Sequence, residues 1–156
     1  MLKGRLKLQV RSSNTVKIRL RRLNLSKVVE ELKFSCKKIG RNLISAIIFG
    51  SLAKGNYSGS SDADVLLVLK DAPMDEGEKY RKYNVVKASI PVQLFIYTID
   101  EIIERIGRGD TFIIEAIVTG KPIMGKETYE KLLSLCRKVI REKSMERTPI
   151  GWKTKT

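Results

Sequence analysis

Hydrophobic residues alternate with basic and polar ones from Gly4 to Leu23, and this period of two predicts β-strands. A turn at residues 12–14 separates two alternating runs, so the prediction is a β-hairpin with a basic outer face. Beyond the hairpin, apolar residues recur at helical spacing as far as Gly40, with Asn24 or Ser26 as the N-cap. The first forty residues are therefore expected to form a hairpin followed by a helix.

The middle of the chain reads as strands separated by polar loops. Two unbroken apolar runs, Leu43–Phe49 and Val65–Leu69, predict strands that are covered on both faces of a sheet. The polar residues from Asp71 to Asn84 include a proline and a glycine, and they predict a loop with a short helix. Val85–Ala88 and Val92–Tyr97 are predicted as further strand segments.

The last third of the chain is predicted to be mainly helical. Two short helices are expected at Asp100–Arg105 and Thr111–Val118, and a glycine-bounded turn with an apolar insertion at residues 120–125. A basic helix is expected from Lys126 to Glu146, and residues 147–156 are expected to be a flexible basic tail.

These elements predict an α+β protein, with a mixed β-sheet and helices packed on it. Three parts are expected along the chain. Residues 1–23 form a basic N-terminal β-hairpin extension, residues 24–146 form the main domain, and residues 147–156 form the tail.

Between the two buried strands lie a Gly-Ser turn and a pair of carboxylates. Gly50 permits backbone conformations that other residues avoid, and Ser51 is a candidate N-cap of a short helix whose start suits a phosphate. Asp62 and Asp64 open the second strand, where alternate side chains point to the same side. Because adjacent carboxylates repel each other, a hard cation such as Mg²⁺ between them is favoured. Each half alone also occurs in ordinary loops, but together they predict a nucleoside triphosphate site.

Gly-Ser, ten residues and Asp-x-Asp, in this order, resemble the signature of the polymerase-beta-like nucleotidyltransferase superfamily in its minimal nucleotidyltransferase form. The resemblance extends over residues 44–125, so both ends of the chain lie outside it. It implies a polymerase-beta-like fold and an enzyme that transfers a nucleoside monophosphate to a hydroxyl acceptor, with ATP as the expected donor. The positions that match the signature are Gly50, Ser51, Gly55, Ser61, Asp62 and Asp64.

The resemblance also implies the roles of the site residues. The expected nucleotide contacts are Gly50 and Ser51, which would hold the β- and γ-phosphates, with Lys54 or Ser61 as additional phosphate contacts. Asp62 and Asp64 are implied as the catalytic ligands of the Mg²⁺ that accompanies the nucleotide.

A third carboxylate is implied on the neighbouring strand, where it completes a second metal site and helps to activate the attacking hydroxyl. The residue at the expected position is Gln93. Its amide can donate to a carboxylate or offer an oxygen to a metal, but it cannot accept the hydroxyl proton as a carboxylate does. If buried, Gln93 needs hydrogen-bond partners; on an edge strand, it would point to water. We therefore expect nucleotide binding to persist and transfer to be slow.

Composition excludes several other kinds of protein. A chain of 156 residues with 42% hydrophobic and 31% charged residues suits one folded domain. The absence of histidine excludes histidine-based catalysis and zinc sites of the Cys/His kind. Cys36 and Cys136 are expected to be ordinary thiols on helices of a cytoplasmic protein. With no apolar run near the roughly 20 residues of a membrane span, and no secretory signal, no membrane partner is expected.

Charge is unevenly distributed along the chain. Residues 1–41 contain 13 Lys and Arg against 2 Asp and Glu, residues 42–130 contain 10 against 13, and residues 131–156 contain 8 against 2. The basic ends therefore suggest a polyanionic or acidic partner, although a solvated surface explains them equally well.

Three functions fit these observations. Small members of the resembled family include the antitoxins of toxin–antitoxin modules, so a helical toxin is one expected protein partner. The alternative is a catalytically impaired module that binds RNA or a partner protein through its basic ends, with a steep salt dependence for RNA. A ligand-free structural subunit is the third reading, and it treats the Gly-Ser and Asp-x-Asp arrangement as accidental.

Overall fold

A four-stranded mixed sheet forms the centre of the computed structural model, which describes residues 23–154. The strands lie in the order β3-β2-β1-β4. Strand β1 is antiparallel to both β2 and β4, whereas β2 and β3 are parallel. The four strands are β1 (Leu43–Phe49), β2 (Ala63–Leu69), β3 (Val92–Thr98) and β4 (Lys121–Met124).

Helices connect these strands, and a separate two-stranded hairpin follows the last helix. A short 3₁₀ segment, Lys37–Asn42, joins the first helix to β1. The helices are α1 (Leu25–Cys36), α2 (Ser51–Lys54), α3 (Glu76–Tyr83), α4 (Ile99–Gly107), α5 (Thr111–Thr119) and α6 (Lys126–Glu142). The hairpin consists of β5 (Met145–Thr148) and β6 (Gly151–Thr154), paired antiparallel.

The sheet is buried on both faces, because alternate residues of β2 enter two different hydrophobic clusters. Val65 and Leu67 pack in a cluster with Val28 and Leu32 of α1. Leu66 and Val68 pack in the other cluster, with apolar residues of α4, α5 and α6. This arrangement confirms the prediction of an α+β fold with helices on a mixed sheet.

Local sequence explains where the helices begin. The side chain of Asn24 accepts a hydrogen bond from the backbone N–H of Lys27, as predicted for the N-cap of the first helix. Thr98 and Glu101 form a capping box, so β3 continues directly into α4. Helix α5 begins after Asp110, which accepts from two backbone N–H groups.

Two predictions for single segments, one of a strand and one of a turn, are wrong. Residues Val85–Ala88 form no strand, because the backbone of Lys87 bonds to the Ser35 hydroxyl of α1 instead of to a neighbouring strand. Residues 120–125, predicted as a turn, contain β4, which pairs with β1 and accepts a hydrogen bond from Ser45 at Met124.

The prediction for the C-terminal end is also wrong. The last helix ends at Glu142, and residues 145–154 form the β5–β6 hairpin instead of a flexible tail. Trp152 attaches the hairpin to α5 by donating its indole N–H to Glu115, at 2.8 Å. The predicted N-terminal hairpin, apart from Leu23, lies outside the described residues, as do the final two residues of the tail.

Candidate active site

Three strands place Asp64, of the Asp-x-Asp motif, between residues of its two neighbouring strands. Phe49, the last residue of β1, pairs with Asp64 of β2, and Asp64 pairs with Gln93 of β3. Paired residues of neighbouring strands point to the same face of a sheet. We call Phe49, Asp64 and Gln93 the site row.

Gly50 follows the site row in a conformation that only glycine adopts readily. Its φ is +74°, and a Cβ atom at this position would collide with the Oδ2 atom of Asp64. Two separate requirements, a positive φ and the close approach of a carboxylate, therefore fix glycine here.

Ser51 is the first residue of α2, so its predicted role as the N-cap is wrong. The cap position belongs to Gly50, and no side chain caps this helix. The physical reason is the positive φ of the cap, which a serine would adopt only with strain. The turn closes at Gly55, whose backbone N–H donates to the carbonyl of Ser51 at 3.0 Å.

The two carboxylates differ in their surroundings. Asp62 is exposed, whereas Asp64 is half-buried at the start of β2. Burial, and to a smaller extent the charge of Asp62, raises the pKa of the Asp64 carboxyl. Within residues 23–154, no group donates a hydrogen bond to the side chain of either residue. Both carboxylates thus keep their oxygens available for a ligand.

These donors fit one hard divalent cation. Mg²⁺ binds through one or two carboxylates and completes its shell with water and substrate phosphates. A cation would also offset the repulsion and the desolvation that raise the pKa of Asp64. The part of the chain that the structure describes contains no group of three or more His, Cys, Asp or Glu side chains able to hold a metal. A second metal site with its own carboxylate therefore does not fit the described residues.

Gln93 lies beside Asp64 but is exposed on the edge strand of the sheet. Its side chain forms no hydrogen bond with the other described residues. Of the two alternatives drawn from the sequence, the exposed edge position is the one observed, and a buried amide is not. The side chain is free to contact a ligand next to Asp64.

Lys54 and Ser61 are engaged with protein groups. The Lys54 ammonium lies 3.0 Å from a carboxylate oxygen of Glu115 on α5. The Ser61 hydroxyl oxygen accepts from the backbone N–H of Ser58 at 2.9 Å, within the loop before β2, and its own proton remains available. A phosphate contact by Lys54 would thus compete with Glu115, whereas Ser61 could donate without breaking its present bond.

Sequence reasoning missed Glu115. Besides Lys54, this carboxylate accepts from Arg147 at 2.7 Å and from Trp152 at 2.8 Å. Burial acts to raise its pKa, but the hydrogen bonds from Lys54 and Trp152 and the nearby positive charges outweigh burial and lower it. Glu115 therefore links the helical turn after Gly50 to the C-terminal hairpin. No local pattern indicates this role, because its partners lie far away along the chain.

The fold and the site together define a nucleotidyltransferase domain. Residues 25–123 match the family described as "Nucleotidyltransferase domain". The match spans more than half of the chain, so the chain belongs to this family of nucleotidyltransferase domains. This confirms the family that the Gly-Ser and Asp-x-Asp motifs indicate.

The individual proteins to which the chain is similar share limited sequence identity with it. The "Putative protein adenylyltransferase MJ1305" of Methanocaldococcus jannaschii is 36% identical over 58 residues, which are 36% of this chain and 40% of that protein. The match thus spans about two fifths of that relative's length. A toxin–antitoxin crystal structure with AMP-PNP is 20% identical, with a TM-score of 0.46 over 78% of this chain and 94% of the other. A structure described as a "putative nucleotidyltransferase from Sulfolobus solfataricus" is 25% identical, with a TM-score of 0.41 over 65% and 81% of the two chains.

Proposed function

We propose that the protein transfers a nucleoside monophosphate from a nucleoside triphosphate, ATP in the first place, to a hydroxyl acceptor. One observation supports this most directly. Gly50 approaches Asp64 so closely that no side chain fits between them, and Asp62 and Asp64 receive no hydrogen bond from the described residues. A phosphate-binding turn beside two available carboxylates is the arrangement that a Mg²⁺-bound triphosphate requires.

Each site residue has a role in this proposal. Gly50 and Ser51 hold the β- and γ-phosphates through backbone and hydroxyl donors, and Ser61 adds a hydroxyl. Asp62 and Asp64 would hold Mg²⁺, which supplies positive charge to the phosphates when bound. The acceptor oxygen then attacks the α-phosphorus in line, the bond to the bridging oxygen breaks, and pyrophosphate leaves with that oxygen.

Gln93 makes the transfer step of this reaction slow. The hydroxyl proton must leave as the oxygen attacks, and the amide beside Asp64 cannot take it. The proton therefore passes to solvent or to a group of the acceptor. General base catalysis typically contributes about 10²–10⁴ in rate, so transfer is slow while nucleotide binding persists.

The proposed acceptor is a hydroxyl of a partner protein. The M. jannaschii relative is named as a protein adenylyltransferase, and the resembled family includes antitoxins that act with a helical toxin. A protein acceptor brings its own hydroxyl to the edge strand of the sheet, where the exposed Gln93 lies.

Parallel labelling with α- and γ-³²P-ATP tests the proposal. The wild-type chain, Mg²⁺ and total protein from the source cells are incubated, and labelled proteins are separated on a gel. We expect label from the α position only, and none from an Asp62→Ala/Asp64→Ala variant. An Asp100→Ala/Glu104→Ala variant removes two exposed carboxylates of α4 and serves as the charge-matched control. No α-label with wild type, or equal labelling by the double variant at residues 62 and 64, would contradict the proposal.

A further inference from the structure

Three phenylalanine rings pack against one another next to the Asp64 and Gln93 positions of the site row. Phe49 belongs to the row itself, opposite Asp64. Phe95 follows Gln93 by two residues on β3 and so points to the same face of the sheet. Phe112 of α5 completes what we call the aromatic cluster. Its ring centroid lies 5.7 Å from that of Phe49 and 5.1 Å from that of Phe95, both within the usual range of aromatic pairs.

The aromatic cluster is open to solvent on one side. Phe49 is only 8% exposed, whereas Phe112 is 41% exposed although it contacts both other rings. Phe112 therefore keeps exposed surface that can receive another flat group, next to two rings that pack against it.

Helix α5 presents Phe112 on the side that faces the phosphate-binding turn. Residues three positions apart lie on one face of a helix, and Phe112 and Glu115 are so related. Glu115 contacts Lys54, which lies in the turn that begins with Gly50 and Ser51. One face of α5 thus extends from the expected phosphate positions, near Lys54, to the exposed ring.

The aromatic cluster neighbours the carboxylates through Phe49, which pairs with Asp64. Side chains paired across antiparallel strands have Cβ atoms about 5 Å apart, which places the Phe49 ring beside the Asp64 carboxylate. The Phe112 ring is the next ring after Phe49, with 5.7 Å between the two ring centroids. In a nucleotide, only a ribose separates the α-phosphate from the base, so a triphosphate held at Asp62 and Asp64 has its base close to these two residues, on the side where the aromatic cluster can meet it.

From this placement we infer that the exposed ring of Phe112 stacks on the base of the bound nucleotide and favours a purine. The inference rests on the proposed function, since it assumes that the triphosphate binds at Asp62 and Asp64. Stacking between an aromatic side chain and a base needs no particular hydrogen-bond pattern, and it strengthens with the size of the base.

Comparing two ligands separates this inference from the proposed function. Mg²⁺-ATP and Mg²⁺-tripolyphosphate are titrated calorimetrically into wild type and into Phe112→Ala, Phe112→Leu and Phe112→Tyr variants. We expect Phe112→Ala and Phe112→Leu to weaken ATP binding about tenfold and to leave tripolyphosphate binding unchanged. Phe112→Tyr keeps a flat ring and should retain the wild-type affinity for both ligands.

Phe34→Ala provides the matched control, because Phe34 is an exposed phenylalanine of α1, 69% exposed, in the helical layer on the other face of the sheet. It should bind both ligands as wild type does. If Phe112→Leu binds ATP as wild type does, or loses ATP and tripolyphosphate equally, the stacking role is wrong and the proposed function stands. If wild type binds neither ligand, the proposed function fails, and the inference fails with it.

Discussion

At the scale of single residues, Asp64 combines its proposed role as a Mg²⁺ ligand with an environment that disfavours its charge. Its folded-state pKa is raised by burial and by Asp62, so folding disfavours the ionised form. The unfolded chain therefore ionises first as pH rises, and the stability of the unliganded protein falls as pH rises through the pKa of Asp64. A bound cation would reverse this loss.

An Asp64→Asn variant should show both sides of this relation. Because the charge is removed, the free energy of unfolding at pH 7 should rise by up to about 1 kcal/mol after solvent screening, while Mg²⁺-ATP binding is lost. The gain should shrink in acid, where the wild-type carboxyl is protonated. Denaturant unfolding at pH 7 and in acid measures this gain in the free energy of unfolding. The control is Asp100→Asn, which replaces an exposed carboxylate. A less stable Asp64→Asn protein at pH 7 would contradict this account.

A Gly50→Ala variant tests the contact between the turn and Asp64. Gly40 is the matched control, since its φ of +82° is equally positive but its Cβ would meet nothing within 4 Å. Gly40→Ala should lower the free energy of unfolding by about 1–2 kcal/mol from backbone strain alone. Gly50→Ala should lower it further and abolish ATP binding, because Asp64 must move. Equal losses of stability in the two variants, with ATP binding intact, would show that the contact is unimportant.

Gln93→Glu tests the expected lack of a general base, since the two side chains have the same shape and differ in charge and basicity. If the position beside Asp64 serves catalysis, transfer of α-label should rise about 10²–10⁴-fold, with ATP affinity changed much less. The measurement is a single-turnover rate at saturating ATP. An unchanged rate would show that the position of Gln93 is not the place of a general base in the transfer reaction.

At the scale of elements, one carboxylate of α5 accepts hydrogen bonds from both strands of the C-terminal hairpin. The Oε2 atom of Glu115 contacts both Arg147 of β5 and Lys54 of α2, and its Oε1 atom accepts a hydrogen bond from Trp152 of β6. The hydrogen bonds and charges lower the pKa of Glu115, so their stabilisation is present above its unfolded-state pKa and is lost as pH falls through the folded-state value. The hairpin should thus be firmly held at neutral pH and loosen in acid.

Glu115→Gln removes the charge but keeps the size of the side chain. We expect the free energy of unfolding to fall by about 1–2 kcal/mol, because partly exposed charge-assisted hydrogen bonds are lost. Amide hydrogen exchange in residues 145–154 should quicken about tenfold at neutral pH. Glu104→Gln, at an exposed position of α4, should leave that exchange unchanged. Unaltered exchange in Glu115→Gln would mean that the hairpin is held by its apolar contacts alone.

The hairpin also shows why some elements escape prediction from sequence. Strands β5 and β6 have four residues each, too few for a period of two to stand out. Pro149 and Gly151 do mark a turn between them. The contacts of the segment are with residues far away along the chain: Glu115 precedes its partner Trp152 by 37 residues, and Met145 and Trp152 pack in the apolar cluster of α4, α5 and α6. Contacts of this separation leave no local pattern.

At the scale of the whole molecule, the sequence contains enough local information for three of the four strands of the sheet and for the residues that lie between β1 and β2. Gly50, Asp62 and Asp64 lie within one short stretch between two apolar strands, and the structure brings Gly50 against Asp64. The aromatic cluster could not be foreseen, because β1, β3 and α5 each contribute one ring and only the tertiary fold joins them. Single residues on separate elements look like ordinary core positions.

Both thiols are internal to the fold, as expected of ordinary buried cysteines. Burial raises the pKa of Cys36 to about 11 and that of Cys136 to about 12, so neither is a thiolate near neutral pH. Among the described residues, no helix is long and apolar enough to cross a membrane.

Calorimetric titration of ATP, with and without Mg²⁺, tests the central claim most directly. Wild type should bind ATP only when Mg²⁺ is present, and the Asp62→Ala/Asp64→Ala variant should not bind it, while the Asp100→Ala/Glu104→Ala control binds as wild type does. Binding that needs no Mg²⁺, or that survives in the Asp62→Ala/Asp64→Ala variant, would contradict the assignment of the two carboxylates. A wild-type chain that ignores ATP but binds RNA with a steep salt dependence would contradict the proposed transfer reaction and support the binding-module alternative.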